Sequence, residues 1–226
     1  MLQRIKKFPV FERRHDRRLL FTKNLTPKRS FFAEALLKDK GEEYRAWDVS
    51  RSKLGAAIKK GASQIGIKEG DTVLYLGASH GFTPSYVSDM VGKDGFVFCL
   101  DFAPRVVRDL VFVCEERENM APILGDAAHP EAYKDLIPEE VDVVFQDIAQ
   151  RNQVEIFLKN CDAYLKSGGF GLLALKARSV DVSKNPKQIF AHVRRELESH
   201  KGLTVVDYRD LYPFEKDHAM FICKKK

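Results

Sequence analysis

Asp101, Asp126, Asp147, Lys176 and His218 each stand at or near the end of an apolar run, where an α/β chain gathers its chemistry. The first run, DTVLYLG (71–77), leads into Gly77-Ala78-Ser79-His80-Gly81-Phe82-Thr83. Glycines at such a turn let a backbone approach a ligand closely. The spacing of Gly77 and Gly81 is G-x-x-x-G, not the G-x-G-x-x-G that seats a dinucleotide pyrophosphate on a helix N-terminus. Asp101 closes the second run 24 residues after Gly77, where a carboxylate can accept from both hydroxyls of a ribose. Asp126-Ala127 closes the third, placed for an adenine amino group. Either acid alone also reads as a strand-ending or helix-capping carboxylate. Together, beside the glycine loop, they describe an adenosine pocket without a pyrophosphate, and S-adenosylmethionine fits that better than NAD.

Asp147 closes the fourth run, Lys176 lies late in the apolar LLALKA, and His218 opens the last run. A lysine inside an apolar strand is costly unless its amine reaches water or a partner, so Lys176 is the strongest single signal of function. His218 reads equally well as a hydrogen-bonded structural histidine.

The elements that must position these groups follow from the hydrophobic pattern. Strands are expected at 71–77, 95–101, 121–126, 141–147, 169–177, 203–211 and 218–225. Helices are expected at 52–65, 83–91, 104–117, 130–136, 154–165 and 186–199, with Pro84, Pro104, Pro130 and Pro186 at or next to their starts. Near-continuous apolar strands separated by helices describe a parallel sheet covered on both faces. The last two strands have no helix between them, so the final one should run antiparallel. A seven-stranded, mostly parallel sheet with that ending is the architecture of the Rossmann-like, class I S-adenosylmethionine-dependent methyltransferases. Residues 1–50 read instead as short strand-like pieces punctuated by Pro9, Pro27 and the Lys40-Gly41 turn. A small β-rich domain over 1–50 and a methyltransferase-like domain over 51–226 are expected.

The chain has 226 residues, 44% hydrophobic and 31% charged. That composition supports a packed core and argues against disorder. No apolar run approaches the roughly 18 residues of a membrane helix, and the basic start lacks the apolar stretch of a signal peptide. Cys99, Cys114, Cys161 and Cys223 show no C-x-x-C spacing, so zinc and disulfide frameworks are poor readings, no metal site is expected, and a cytoplasmic, reducing setting is. Residues 1–60 hold 17 Lys/Arg against 7 Asp/Glu, whereas residues 61–226 hold 21 against 25. A basic front on a mildly acidic body suits a polyanion such as nucleic acid, met mainly through residues 4–29. Arg13, Arg14, Arg17 and Arg18 read equally as a contact for RNA or partner and as a solvated ridge.

Six segments in the same order resemble the fibrillarin family in its archaeal form: EYRAWDVSRSKLGAAI (43–58), VLYLGASHGFTPSYVSD (73–89), PILGDAAHPEAY (122–133), VDVVFQDIAQRNQ (141–153), LLALKARSVDV (172–182) and EKDHAMF (215–221). The loop departs from that family's usual Gly-Ala-Ala-Ser-Gly-Thr-Thr at Ser79, His80 and Phe82. The resemblance implies a ribose 2'-O-methyltransferase that takes its methyl group from S-adenosylmethionine within a box C/D guide-RNA particle, acting on rRNA and tRNA. It implies as partners the guide RNA, a Nop-domain scaffold and, indirectly, a kink-turn-binding protein of ribosomal type. The family's cofactor contacts fall on Phe82, Thr83, Asp101, Phe102, Asp126, Ala127 and the run Asp147-Ile148-Ala149-Gln150, beside the glycines Gly77 and Gly81. Its Lys-Asp-Lys-His catalytic set falls on Lys53, Asp147, Lys176 and His218. A methyltransferase-like subunit that binds without catalysing is the alternative; the joint presence of those four residues argues against it.

Overall fold

The computed structural model describes residues 1–16, 18–138 and 140–226; Arg17 of the basic front lies outside them. The first 48 residues form one five-stranded antiparallel sheet from β1 (Leu2–Arg4), β2 (Phe11–Arg13), β3 (Leu19–Lys23), β4 (Leu36–Asp39) and β5 (Glu42–Asp48), in the order β1-β2-β3-β5-β4. The β4–β5 hairpin turns at Lys40-Gly41, both with positive φ (51° and 82°), as a two-residue primed turn requires.

The remaining strands are β6 (Thr72–Leu76), β7 (Phe96–Asp101), β8 (Met120–Leu124), β9 (Val141–Gln146), β10 (Leu165–Lys176), β11 (Leu203–Asp210) and β12 (His218–Lys225). They form one seven-stranded sheet in the order β11-β12-β10-β9-β6-β7-β8. The pairings β10/β9, β9/β6, β6/β7 and β7/β8 are parallel, and β12 runs antiparallel between β10 and β11. This is the expected architecture, and its cause is visible in burial. Val73–Leu76, Val143–Gln146, Leu172–Leu175 and Ala219–Cys223 are buried throughout, which two-sided helical cover demands of a parallel sheet. The long helices are α2 (Phe82–Val91), α3 (Pro104–Glu115), α4 (Gln153–Tyr164) and α6 (Pro186–Ser199); α1 (Lys53–Lys59) and the four-residue α5 (Ala177–Val180) are short. A 3₁₀ segment covers Pro130–Leu136.

Two boundaries differ from the periodic pattern. The helix expected to reach residue 65 stops at Lys59, because Gly61 takes φ 76° and turns the chain out of the helix. Ala62, Ile65 and Ile67 stay buried regardless, so their spacing reflected a shared core rather than a shared helix. Strand β10 starts at Leu165, four residues before its apolar run, with an irregular register against β9 between Leu165 and Phe170.

A buried charge cluster joins the two sheets. Asp89, on α2, accepts from Arg45 on β5 (Nη1, 3.0 Å), from the Thr22 hydroxyl on β3 (2.7 Å), from the Leu25 amide (3.3 Å) and from Arg117 beyond α3. Arg45 also binds Glu34 (2.7 Å) and Ser85 Oγ (3.0 Å) and lies over the Tyr86 ring, which stacks on Trp47. Burial works against the Glu34 charge, but Arg45 and the Phe32 amide prevail and hold its carboxyl below the usual range. The side chains of Arg45, Asp89 and Arg117 are wholly buried, so each depends on the others for solvation. Asp89→Ala strands the Arg117 guanidinium, leaves Arg45 with Glu34 as its only carboxylate among the described residues, and should cost about 3–5 kcal/mol of stability; an unmoved urea midpoint contradicts this.

Candidate active site

The site is built where β6 ends, between β7 on one side and β9 on the other. This is the point at which the order of parallel strands reverses, and it opens a crevice beyond their carboxyl ends. Four loops line a cavity of about 290 Å³: Gly77 and Ser79 after β6, Leu100 to Phe102 at the end of β7, Gly125 to Ala127 after β8, and Asp147 to Gln150 after β9. Gly77 has φ 83°, and a Cβ there would stand 2.3 Å from the Asp147 carbonyl oxygen and 2.9 Å from Ile148 Cγ2. Only glycine lets the two loops close on each other. Ser79 follows with φ 49°, and its amide donates to Asp101 Oδ2 (2.9 Å), while the Ala103 amide donates to Oδ1 (3.1 Å). Each Asp101 oxygen therefore holds one loop amide and keeps a lone pair for a further donor. Asp126 accepts the Ala128 amide on Oδ1 (2.9 Å) and is exposed.

Among the residues expected to contact a cofactor, Gly77, Asp101, Phe102, Asp126, Ala127, Asp147, Ile148, Ala149 and Gln150 line this cavity, with Phe102 67% exposed. Gly81, Phe82 and Thr83 lie outside its lining. Gly81 caps α2 with φ 89°, and a Cβ there would come within 2.9 Å of Leu110 on α3. The Phe82 ring turns into the junction with the first sheet, edge-on to Phe32 and Tyr86 and under Arg51. Thr83 is buried, its hydroxyl donating to Ser52 Oγ (3.1 Å). Ser79, Leu100 and Gly125 line the cavity without having been named as cofactor contacts; their place in the strand-end loops was the available signal.

Next to the cavity lies a cluster of charges that shares Asp147 with it. Lys53, at the start of α1, is 3.0 Å from Asp147 Oδ1 and 3.2 Å from Oδ2. Burial presses the Lys53 ammonium toward neutrality, but Asp147 outweighs it, with help from Glu215, and keeps the ammonium protonated to higher pH than usual. Lys176 and His218 face each other as the last register pair of β10 and β12. His218 Nδ1 stands 2.7 Å from the Lys216 carbonyl oxygen. A carbonyl only accepts, so Nδ1 carries the proton and Nε2 keeps the lone pair. Burial and then Lys53 push the imidazole below its ordinary value, so the ring is neutral at neutral pH. All four residues named from the sequence are thus gathered at one strand-end cluster.

Two further residues belong to this neighbourhood and were not singled out. Gln153, wholly buried, accepts from the Lys176 amide (3.1 Å) and donates to the Lys176 (3.2 Å) and Gln150 (2.9 Å) carbonyls, tying the cavity loop to the lysine's backbone. Glu215 is half-buried beside the charges; burial raises its carboxyl above the usual range despite Lys53 and Lys176.

The model of the family described as Fibrillarin matches residues 3–226. A protein of Thermococcus onnurineus named fibrillarin-like rRNA/tRNA 2'-O-methyltransferase is 49% identical over 97% of both chains. The structure of Aeropyrum pernix fibrillarin in complex with natively bound S-adenosyl-L-methionine is similar with a TM-score of 0.89, at 40% identity over 99% of this chain and 97% of that one. A fibrillarin/Nop5p complex contains a chain similar with a TM-score of 0.83, at 33% identity over 92% and 94% of the two chains.

Gly77→Ala should lower stability by more than the about 1–3 kcal/mol of left-handed strain alone. Gly41→Ala, at φ 82° with nothing within 4 Å, isolates that strain. Equal losses in thermal or urea unfolding contradict the close-approach explanation.

Proposed function

The chain belongs to the fibrillarin family, and on that premise we propose that it transfers a methyl group from S-adenosylmethionine to a ribose 2'-hydroxyl of rRNA or tRNA chosen by a guide RNA. The observation that carries this reading is the position of Asp147, which lines the adenosine-sized cavity and binds Lys53 in the cluster that includes Lys176 and His218. The cavity's acceptor carboxylates suit an adenosyl group and not a pyrophosphate. Asp101 has lone pairs left for ribose hydroxyls, and Asp126 for an amine. The helix α2 N-terminus is capped by Gly81 outside the lining.

S-adenosylmethionine, when bound, supplies an electrophilic methyl group on a sulfonium. The chain's own residues must then hold the hydroxyl in line and take its proton. Lys53 is locked to Asp147 as an ammonium and cannot accept a proton. Neutral His218, with Nδ1–H held by the Lys216 carbonyl, presents Nε2 as the base. Lys176, across the strand pair, stabilises the developing alkoxide. Asp147 orients Lys53 and places a negative charge between the cavity and the lysines. Target choice by base pairing leaves the protein to meet ribose and phosphate, which are alike in every sequence.

The partners follow the same reading. The likeness to the fibrillarin/Nop5p complex supports a Nop-domain scaffold. We further propose a box C/D guide RNA and, through it, a kink-turn-binding protein, with the exposed Arg13, Arg14 and Arg18 available to RNA or scaffold.

Lys176→Ala should retain S-adenosylmethionine binding in calorimetry yet lose roughly 10²–10³-fold in turnover of the reconstituted particle; a near-normal rate contradicts the assignment. The rate should hold as pH falls through the ordinary histidine value near 6.5 and decline only below it. Replacing His218 by Gln should remove that acid limb and most of the activity. A limb unchanged in the variant assigns the proton acceptor elsewhere.

A further inference from the structure

The charges at the methyl-transfer end of the site do not balance without a residue that the catalytic set omits. Lys53 and Lys176 bring two ammonium groups, and Asp147 brings one carboxylate. His218 is neutral with its proton on Nδ1. A bound sulfonium adds one more positive charge, beside a hydroxyl that must lose a proton. A surplus of positive charge beside the cavity disfavours the sulfonium specifically.

Glu215 stands in the turn between β11 and β12, where its carboxylate lies 3.9 Å from His218 Nδ1 with 19% of its side chain exposed. Among the described residues its carboxylate forms no hydrogen bond, although it lies within the field of both Lys53 and Lys176. A half-buried carboxylate without a local donor serves no evident folding purpose; its neighbours are the charges of the site.

We propose that Glu215 is a positioning residue that supplies the second countercharge of the lysine pair and thereby makes the site accept a sulfonium. With it, two ammoniums face two carboxylates around a neutral imidazole, and the added sulfonium meets a neutral cluster. The same carboxylate lies on the Nδ1 side of His218, where it stabilises the imidazolium formed when Nε2 takes the ribose proton, as a carboxylate behind a histidine does in other general-base sites. This rests on the reading of the cavity as a site for S-adenosylmethionine.

The test compares two ligands that differ in charge at one atom. S-adenosylmethionine carries a sulfonium, and S-adenosylhomocysteine is a neutral thioether of nearly the same shape. Titration calorimetry of the full chain should show Glu215→Gln losing roughly five- to tenfold in affinity for S-adenosylmethionine, the effect of one unit charge across several ångströms of half-solvated protein. Affinity for S-adenosylhomocysteine should be unchanged, and Glu215→Asp should restore most of the difference. Equal weakening of both ligands shows a merely structural role, and no change in either shows none; both overturn the proposal. If the unmodified chain binds neither ligand, the cofactor reading fails instead.

A second arm needs no substitution. Lys53 from α1, Asp147 after β9, Lys176 from β10, and Lys216, Asp217 and His218 from the turn and β12 all face or flank Glu215. The ratio of the two affinities reads the charge felt by the sulfonium, to which His218 also contributes as it protonates, so the comparison that isolates Glu215 is the unmodified chain against Glu215→Gln. Protonating Glu215 removes its negative charge, so the ratio should turn against S-adenosylmethionine as pH falls through the raised carboxyl value. Glu215→Gln should flatten that turn, and a turn of equal size in the variant overturns the proposal.

Discussion

The closing of two backbones on each other at Gly77 and Asp147 is the constraint from which the site follows. The Asp147 amide donates to the Leu76 carbonyl at 2.8 Å, extending the β6/β9 ladder by one bond beyond the strands. The positive φ of Gly77 then sends one chain toward β7 and α2 while the other turns away toward α4. No side chain fits at residue 77, and none is needed. What the missing Cβ permits is a short diagonal from the cavity wall to Asp147 and on to Lys53. The cavity and the charge cluster are therefore built on one junction, and Asp147 belongs to both.

The first sheet is fastened to this junction by charge as well as by apolar packing. Asp89 sits on the helix that the glycine loop launches, and it binds Arg45 from β5, the strand that leads through a short 3₁₀ turn into α1 and Lys53. Apolar residues of both sheets and of α2, among them Leu20, Trp47, Val73, Tyr75, Val87 and Met90, belong to one core. The position of Lys53 relative to Asp147 is thus set from two directions: through α1, and through the packing of β5 on α2. A buried ion pair is a weak source of net stability, but its directionality suits a part whose task is to fix an angle between elements.

Strand ends and their acids were legible in the sequence because parallel strands buried on both faces must be apolar, so a polar residue ending one is conspicuous. Asp101, Asp126, Asp147 and Lys176 all stood out in that way. Residues acting through partners distant in sequence were not legible. Asp89, Arg45 and Arg117 resemble any charges on amphipathic elements until folding closes sequence separations of 44 and 28 residues. Gln153 reads as the residue just before a helix, and its side chain matters because β10 ends beside it. Glu215 lies in a polar turn, where a carboxylate carries no signal until the lysines arrive from α1 and β10. The family pattern names Phe82 as a cofactor contact but says nothing of its ring, which packs with Phe32, Tyr86 and Arg51 at the sheet junction.

We propose that one junction delivers a methyl group to a ribose hydroxyl and that a guide RNA, not the protein, selects which ribose. The most direct measurement reconstitutes the chain with its scaffold, the kink-turn protein, a box C/D guide and a complementary target, and maps the methyl group to an atom and a nucleotide. The expected product is 2'-O-methylation at a single ribose, which moves along the target by one nucleotide when the guide's pairing is shifted by one. Methyl groups on bases or on protein, or a modified position indifferent to the guide, would contradict it.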